Sequence, residues 1–348
     1  MILKSAAELT ELASRILAAA GASPDNARGV AEHLVLANLS GVDSHGVWHV
    51  KGYVEHIREG QLDPAARPEV VKETPTSVQV SGHWTFGHIA AAFAMERAIE
   101  KAAENNVALA ALVQSNHIGR LGHYVEMAAA KDMVAMVFLG GQGNENPTAV
   151  PFGGRAKLMH TNPLAMGFPG GEVPPMFFDY ATTTVAGVKV VNAHRRQREL
   201  PPGCIVDAEG RPTTDPAEFF AGGGHVAFGG HKGYALMLAI DYLGRIVAGA
   251  DHFVEENRGG LYDAHSGTLM VVFKADLFQS FAAYAAAADE MGQRVRNSPP
   301  APGFAEVLAP GDLEERARRQ RRRDGIPIED DIWETLCEAA AAVGIEDI

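Results

Sequence analysis

"VALAALVQSNHIGRLGHYVEMAAAKDMVAMVFLGG", residues 107–141, decides the fold class. VALAALVQS and MVAMVFLGG are short apolar runs at either end, and both read as buried strands. Between them the loop NHIGRLG feeds a helix, HYVEMAAAKD. Upstream, TSVQVSG (76–82) alternates as a strand does, and HIAAAFAMERAIEKAAENN (88–106) has helical spacing. Downstream, Gly/Pro turns separate short strands in LAMGFPGGEVPPMFFDYATTTV (164–185) and GCIVDAEGRPTT (203–214). A long helix, HKGYALMLAIDYLGRIVAG (231–249), and a strand, GTLMVVFKAD (267–276), follow. Strands alternating with helices predict an α/β body.

Both ends of the chain read as helical. Ser5 and Glu8 form a capping-box pattern at the start of the first helix, which stops at Gly21. Ser23 then stands as N-cap before Pro24 at the first turn of a second helix. A third, Gly46 to Glu59, carries Val47, Val50, Val54 and Ile57 on one face. The last helix lies in PIEDDIWETLCEAAAAVG (327–344), with Pro327 before its first turn.

Composition excludes several classes. The 348 residues are 47% hydrophobic and 21% charged, as in a globular protein with an ample core. A net charge of −13 argues against nucleic-acid and membrane surfaces, which attract lysine and arginine. The basic run RARRQRRRDG (316–325) reads as a solvated helix face balancing the acidic DLEE before it. Cys204 and Cys337 are too few for a disulfide framework or a cysteine zinc site. The N-terminal stretch reads as a structured helix rather than a signal peptide, and no apolar run is long enough to cross a bilayer. A cytoplasmic protein is the expectation.

Three segments carry candidate chemistry. In NLSGVDSHGVWHV (38–50), His45 stands at the mouth of a helix, where unpaired N–H groups face outward. Asp43 and Ser44 could be caps with His45 merely a polar neighbour. His45 and His49, four apart, could instead share a helix face as zinc ligands. The glutamate that zinc hydrolases place after the first histidine is here Gly46, and no third ligand is evident, so the metal expectation is none. The third reading is acid–base: a histidine kept neutral beside helix N–H groups still donates its ring proton to an oxygen gaining charge.

SNHIGRLGHYVEMAA (115–129) follows a strand, where ligands of open α/β proteins sit. Gly119 and Gly122 would let a ligand approach, and Arg120 or the helix N-terminus could meet an anion. The plain alternative is a turn with Asn116 as cap and His117 on the surface. FGGHKGYALM (228–237) places Lys232 at a helix start after paired glycines, which suits phosphate. It lacks Walker A spacing, and no GxGxxG follows a strand; GGQGNEN (140–146) fails at the last glycine. Any dinucleotide is therefore bound in a non-Rossmann manner.

Taken in order, GVDSHGV, SNHIGRLGHYVEMAA and FGGHKGYAL resemble the type 2 malate/L-lactate dehydrogenase family, within it the broad-specificity hydroxycarboxylate dehydrogenases. PFGGRAKLMHTNPLAMGFP, FDYATTTVAGVK, LPPGCIVDAEGRPTTDP and LAPGDLEERARRQRRRDGIP agree. The resemblance covers nearly the whole chain. It implies an NAD- or NADP-dependent enzyme, NAD first, interconverting 2-oxo and 2-hydroxy acids by direct hydride transfer. It also implies a homodimer and a non-Rossmann cofactor domain with a mixed sheet. That domain would be residues 75–284, flanked by a helical substrate and dimer side from residues 1–74 with 285–348. By position, His45 matches the proton donor and His117 the other active-site histidine, a base in some members. Asp179, Ala181 and Thr182 match a cofactor segment, with His160 and Thr161 beside it. His231 and Lys232 match a nucleotide-contacting pair, and Pro310, Gly311 and Asp312 a late cofactor turn that usually ends in Glu.

Two departures bear on specificity. Many members read SHGVxR, but here His49 follows Trp48, and histidine cannot make arginine's planar fork. Substrate contacts then fall to Ser44, Trp48, His49 and Arg120. The carboxylate would be held by Arg120 or Lys51, or an aromatic substrate would stack on Trp48. GGQGNENPTAV (140–150) is longer and richer in glycine than the family pattern. Alternatives are a cyclic imino-acid reductase, an inactive cofactor-binding member and, last, a histidine-ligated metal hydrolase.

Overall fold

A computed structural model describes residues 1–143 and 146–348. Asn144 and Glu145 of the GGQGNEN departure lie outside the described residues. The chain opens with β1 (Ile2–Lys4), α1 (Ala6–Ala19), α2 (Pro24–Leu39), two 3-10 turns (Asp43–His45 and Val47–His49) and α3 (Val50–Arg58). It continues through β2 (Glu69–Thr74), β3 (Ser77–Ser81), α4 (Gly87–Asn105), β4 (Val107–Val113), α5 (Gly122–Ala129), β5 (Met133–Gly140), β6 (Leu164–Phe168) and β7 (Met176–Tyr180). A small lobe holds α6 (Gly187–Arg195), β8 (Ile205–Val206), β9 (Pro212–Thr213), α7 (Pro216–Phe220) and β10 (Gly224–His225). Then come α8 (His231–Asp241), α9 (Gly260–Asp263), β11 (Gly267–Lys274), α10 (Phe281–Arg296), α11 (Asp312–Asp324), β12 (Ile326–Ile328) and α12 (Asp330–Ala342).

Seven strands form one mixed sheet in the order β2-β3-β4-β11-β5-β6-β7. Only β3 and β4 run parallel; every other pairing is antiparallel. The late strand β11 inserts between β4 and β5, with Met270 opposite both Ala110 and Val137. Ala108, Ala110 and Leu112 of β4 bury themselves against Ala91, Ala94, Ala98 and Ala102 of α4. That small-on-small contact explains the alanine-rich text: without bulky side chains the helix lies close to the sheet. A second core joins α1, α2 and α3 to β12 and α12, through Leu9, Ile16, Leu34, Val54, Ile328 and Leu336. The ends of the chain are thus one packed unit, tied also by β1 pairing with β12.

Both N-terminal caps form as the sequence predicts. Ser5 and Glu8 make a complete capping box, and Ser23 caps α2 with Pro24 in its first turn. Three expectations differ in detail. The stretch after Gly46 is a 3-10 turn before α3 begins at Val50, because Val47 N–H is drawn to Asn38 Oδ1 (2.9 Å). The helix after Gly230 changes to π-helical geometry over Tyr242–Val247. Pro327 lies in β12 rather than just before a helix. β2 lies ahead of residue 75 and already belongs to the large sheet. Among the described residues, no helix is long and apolar enough to cross a membrane.

The basic run is a solvated face at Arg316, Arg319, Arg322 and Arg323 but not at Arg318 and Arg321. Arg318 forks onto Glu126 (2.6 and 2.8 Å), and Arg321 meets Asp43 Oδ2 at 2.9 Å. These side chains are largely covered because each reaches back to a carboxylate near the N-terminal helices and α5.

Candidate active site

His45, His49 and His117 meet in one cleft. The His45 and His117 rings stack at 5.8 Å between centroids, and His49 lies 4.5 Å from His117. Each is half-buried, as a residue facing a ligand space should be. Ser44 organises the first turn: its hydroxyl meets His45 Nδ1 (3.1 Å), and its carbonyl accepts from Trp48 Nε1 (2.8 Å) and His49 Nε2 (3.1 Å). A carbonyl only accepts, so His49 carries its proton on Nε2. Gly46 is required here, since a Cβ would lie 2.3 Å from Asn38 Oδ1.

Burial sets the charge state of the cluster. It pulls His49 down to about 3 and lowers His117 well below the ordinary imidazole value, with neighbouring histidines adding to both. Burial also lowers His45, but Asp179 pulls the other way. The Asp179 carboxyl is itself raised by burial, while the Gly122 N–H at 2.7 Å and His45 favour its ionised form. Asp179 therefore acts on His45 through its charge, without a hydrogen bond between them among the described residues, beside two neutral imidazoles.

Asp179 and Phe177 lie on the same face of β7, two residues apart. Phe177 faces Arg120, whose guanidinium carbon sits 5.1 Å from the ring centroid. Arg120 is only 2% exposed and binds Glu126 through Nη1 (2.8 Å). Glu126 and Phe177 thus compensate its charge within the core, while Nη2 is buried with no hydrogen-bond partner among the described residues. Lys51 pairs at the surface with Glu338 (2.8 Å).

The cofactor candidates fall along one run. From Asp179 the chain passes Ala181 to Thr182, whose N–H bonds Thr161 O (2.9 Å). Phe228 N–H then bonds Thr182 O (2.9 Å), which places His231 and Lys232 at the adjoining start of α8. His231 and Lys232 are exposed, and among the described residues Lys232 makes no ion pair. A free amine at the first turn of an 11-residue helix, after two glycines, fits a phosphate-bearing dinucleotide. His160 lies beside Thr161 (3.2 Å) with its imidazole lowered to about 4 by burial. Two side chains are otherwise engaged. Thr182 Oγ1 donates to the Thr161 and Asn162 carbonyls, and Asp312 pairs with Arg296 (2.8 Å). Gly311, after Pro310, packs against the Phe177 ring, so that turn adjoins β7 rather than Lys232.

Sequence reasoning missed four participants. Tyr53 meets His117 Nδ1 at 2.8 Å; its position four residues after His49 was the available signal. His33 and His88 bury themselves behind the cleft, their rings 4.5 Å apart. Asp263, on α9, accepts from the His117 backbone and the Gln142 side chain, with its carboxyl raised to about 7 by burial. Nothing local in LYDAHSG announces it. Among the described residues, no group of three or more His, Cys, Asp or Glu is placed to hold a metal ion.

A family model described as malate/L-lactate dehydrogenase matches residues 4–337. The chain belongs to that family. L-sulfolactate dehydrogenase of Methanocaldococcus jannaschii is 34% identical over 347 residues, 99% of this chain and 98% of the relative. Its solved structure superposes with a TM-score of 0.89 at 33% identity, covering 99% and 98% of the two chains. Hydroxycarboxylate dehydrogenase B of Escherichia coli O157:H7 is 34% identical over 330 residues, 94% of this chain and 90% of that one. The structure of Δ1-piperideine-2-carboxylate reductase from Pseudomonas syringae pvar. tomato gives a TM-score of 0.85 at 30% identity, covering 98% and 100%. The family's mixed sheet is the one this chain folds into, and the resemblance seen in its motifs holds over its length.

Proposed function

We propose that this malate/L-lactate dehydrogenase family member is a nicotinamide-dependent oxidoreductase interconverting 2-oxo and 2-hydroxy acids. The observation that carries the proposal is the stacking of His45 on His117, with His49 beside them and the Asp179 charge acting on His45, at one end of the run that leads to Lys232. When bound, the nicotinamide supplies or accepts the hydride. Lys232, His231 and the backbone of residues 179–182 would hold the dinucleotide, with NAD ahead of NADP. His45 donates a proton to the carbonyl oxygen as charge develops there, and Asp179 stabilises the proton on the imidazole before transfer. In the reverse direction His45 takes the hydroxyl proton. Acid–base assistance of this kind is worth ~10²–10⁴ in rate.

A cyclic imino acid is the second reading. Asp263, carboxyl raised to about 7 beside His117, suits a substrate N–H better than a second anionic group would. A homodimer is part of the proposal, supported by apolar side chains exposed on the π-helical turn: Tyr242 and Ile246 at 55%, Val247 at 64%. Free Cys204 and Cys337 suit a cytoplasmic site of action.

The test is oxidation of NADH and NADPH across pyruvate, oxaloacetate, phenylpyruvate, 2-oxoglutarate and a cyclic imino acid, with His45→Ala in parallel. The expected result is turnover that His45→Ala lowers by two or more orders of magnitude with cofactor affinity unchanged. Cofactor binding without turnover on any member of the panel would point instead to an inactive relic.

A further inference from the structure

Tyr53 is buried between two imidazoles. Its hydroxyl lies 2.8 Å from His117 Nδ1 and 3.5 Å from His88 Nε2. It has one proton to give, so the direction of these two contacts decides which nitrogen of His117 carries hydrogen.

Two arrangements are available. In the first, His88 Nε2–H points to the Tyr53 oxygen and Tyr53 O–H donates to His117 Nδ1, leaving His117 protonated on Nε2. In the second, Tyr53 donates to His88, and His117 Nδ1–H donates to Tyr53. The second forces the proton of His88 onto Nδ1, a buried atom with no hydrogen-bond partner. An orphaned buried N–H costs more than an orphaned lone pair. It also spends the phenol's proton on the longer contact and leaves the shorter to a weaker donor. The first arrangement wins on both counts.

Behind His88 the packing permits no easy escape. Gly119 has φ +69°, and a Cβ there would come within 2.6 Å of both His33 Nε2 and His88 Nε2. His33 Nε2 already accepts from Arg120 N–H (3.2 Å), so it cannot supply His88 with a proton from that atom. His117 Nε2 meets no protein partner among the described residues and is left for a ligand.

We propose that Tyr53 is a positioning residue that locks His117 in the Nε2–H tautomer, so that His117 meets the substrate oxygen as a hydrogen-bond donor and not as a base. The consequence for the reaction rests on the dehydrogenase reading above: proton transfer belongs to His45, and His117 polarises the carbonyl. The tautomer itself does not depend on that reading.

The experiment is a two-bond proton–nitrogen correlation spectrum of the full-length protein labelled with 15N at histidine, without substrate. His117→Gln identifies the His117 signals, and Tyr53→Phe is measured alongside. We expect the Nε2–H pattern at His117 in the native protein and loss of that single tautomer in Tyr53→Phe. kcat should fall about 10- to 100-fold in Tyr53→Phe at unchanged cofactor affinity, the usual effect of removing an orienting partner. An Nδ1–H pattern in the native protein overturns the proposal, whatever happens to Tyr53→Phe. An unchanged Nε2–H pattern in a folded Tyr53→Phe variant overturns the role of Tyr53. Absence of turnover with every substrate counts against the dehydrogenase reading alone, since the spectrum is read without one.

Discussion

Arg321 grips Asp43 through both terminal nitrogens, at 2.6 and 2.9 Å, and so fastens the turn that carries His45 to a helix near the C-terminus. Arg321 Nη1 also donates to Asn38 O, while Asn38 Nδ2 donates to Asp43 (2.7 Å) and Asn38 Oδ1 accepts from Val47 N–H. The turn is therefore clamped on both sides of His45. Catalysis depends on a donor held to within about 1 Å of its productive place.

Removing the clamp should harm rate more than stability. The pair is partly solvated, with Asp43 39% exposed, so Arg321→Ala should destabilise by only about 1 kcal/mol. Its kcat should nevertheless fall roughly 10- to 100-fold while the Kd for the cofactor stays as it was. Urea unfolding and steady-state kinetics on the same preparation would check this. Equal, small losses in both would mean that the His45 turn holds its shape unaided.

Glu126 makes the opposite prediction, a structural one. Its carboxylate binds both Arg120 and Arg318, which are 2% and 12% exposed. Glu126→Gln leaves two covered guanidinium groups short of a charge partner, a loss of roughly 3–5 kcal/mol. The pH dependence follows. Burial alone would raise the Glu126 carboxyl, but the Arg318 hydrogen bond and the Arg120 charge hold it below 4.5. A lowered acid contributes its full stability above the unfolded value of 4.5 and loses it as pH falls through the folded value. Acid unfolding should accordingly begin below about 4.5 in the native protein and be shallower there in Glu126→Gln; identical acid limbs would contradict it.

Much of this was legible beforehand, and the reasons for the rest are physical. Ser5–Glu8, Ser23–Pro24 and the α4 alanines are local signals, and local structure followed them. β11 reads as a strand, but its place between β4 and β5 depends on pairing across more than a hundred residues, which periodicity does not encode. At the site, His45 is marked by its place at the mouth of a helix, and His117 by the family resemblance of SNHIGRLGHYVEMAA. Arg120 reads as an anion contact in a Gly-rich loop, while its burial against Glu126 and Phe177 depends on partners that the loop text does not carry. Within the basic run after Asp312, only folding brings Arg318 and Arg321 out of solvent to Glu126 and Asp43.

Asp263 should make the protein less stable as pH rises from about 4 to about 7. Its carboxyl rises from 3.8 to about 7 on folding, because burial outweighs the Gln142 and His117 hydrogen bonds. A raised acid holds its proton more tightly in the folded state, so stability falls as pH climbs through that window and the full cost applies above it. The cost is bounded at roughly 4 kcal/mol. Asp263→Asn removes the charge but keeps an acceptor, so its stability relative to the native protein should improve between about pH 5 and pH 8. Chemical denaturation at both ends of that range would reveal it. A constant difference would place the Asp263 proton elsewhere.

Trp48 is the residue that should choose the substrate. It is 37% exposed although its indole N–H is tied to Ser44 O, so the ring is fixed in place while its face remains open. Its neighbour His49, 4.2 Å away ring to ring, is neutral and already spends Nε2–H on the same carbonyl. No planar cation stands where many family members have arginine, which weakens the grip on a small, doubly charged acid and leaves an aromatic wall in its stead. Phenylpyruvate should therefore be reduced with higher kcat/KM than oxaloacetate. Trp48→Ala should narrow that ratio by up to about tenfold, the worth of one aromatic contact. His49→Arg should act in the other direction by lowering KM for oxaloacetate, because the guanidinium restores a fork for carboxylate. If Trp48→Ala changes kcat/KM for both acids equally, the ring is packing for the His45 turn and not a wall of the substrate site.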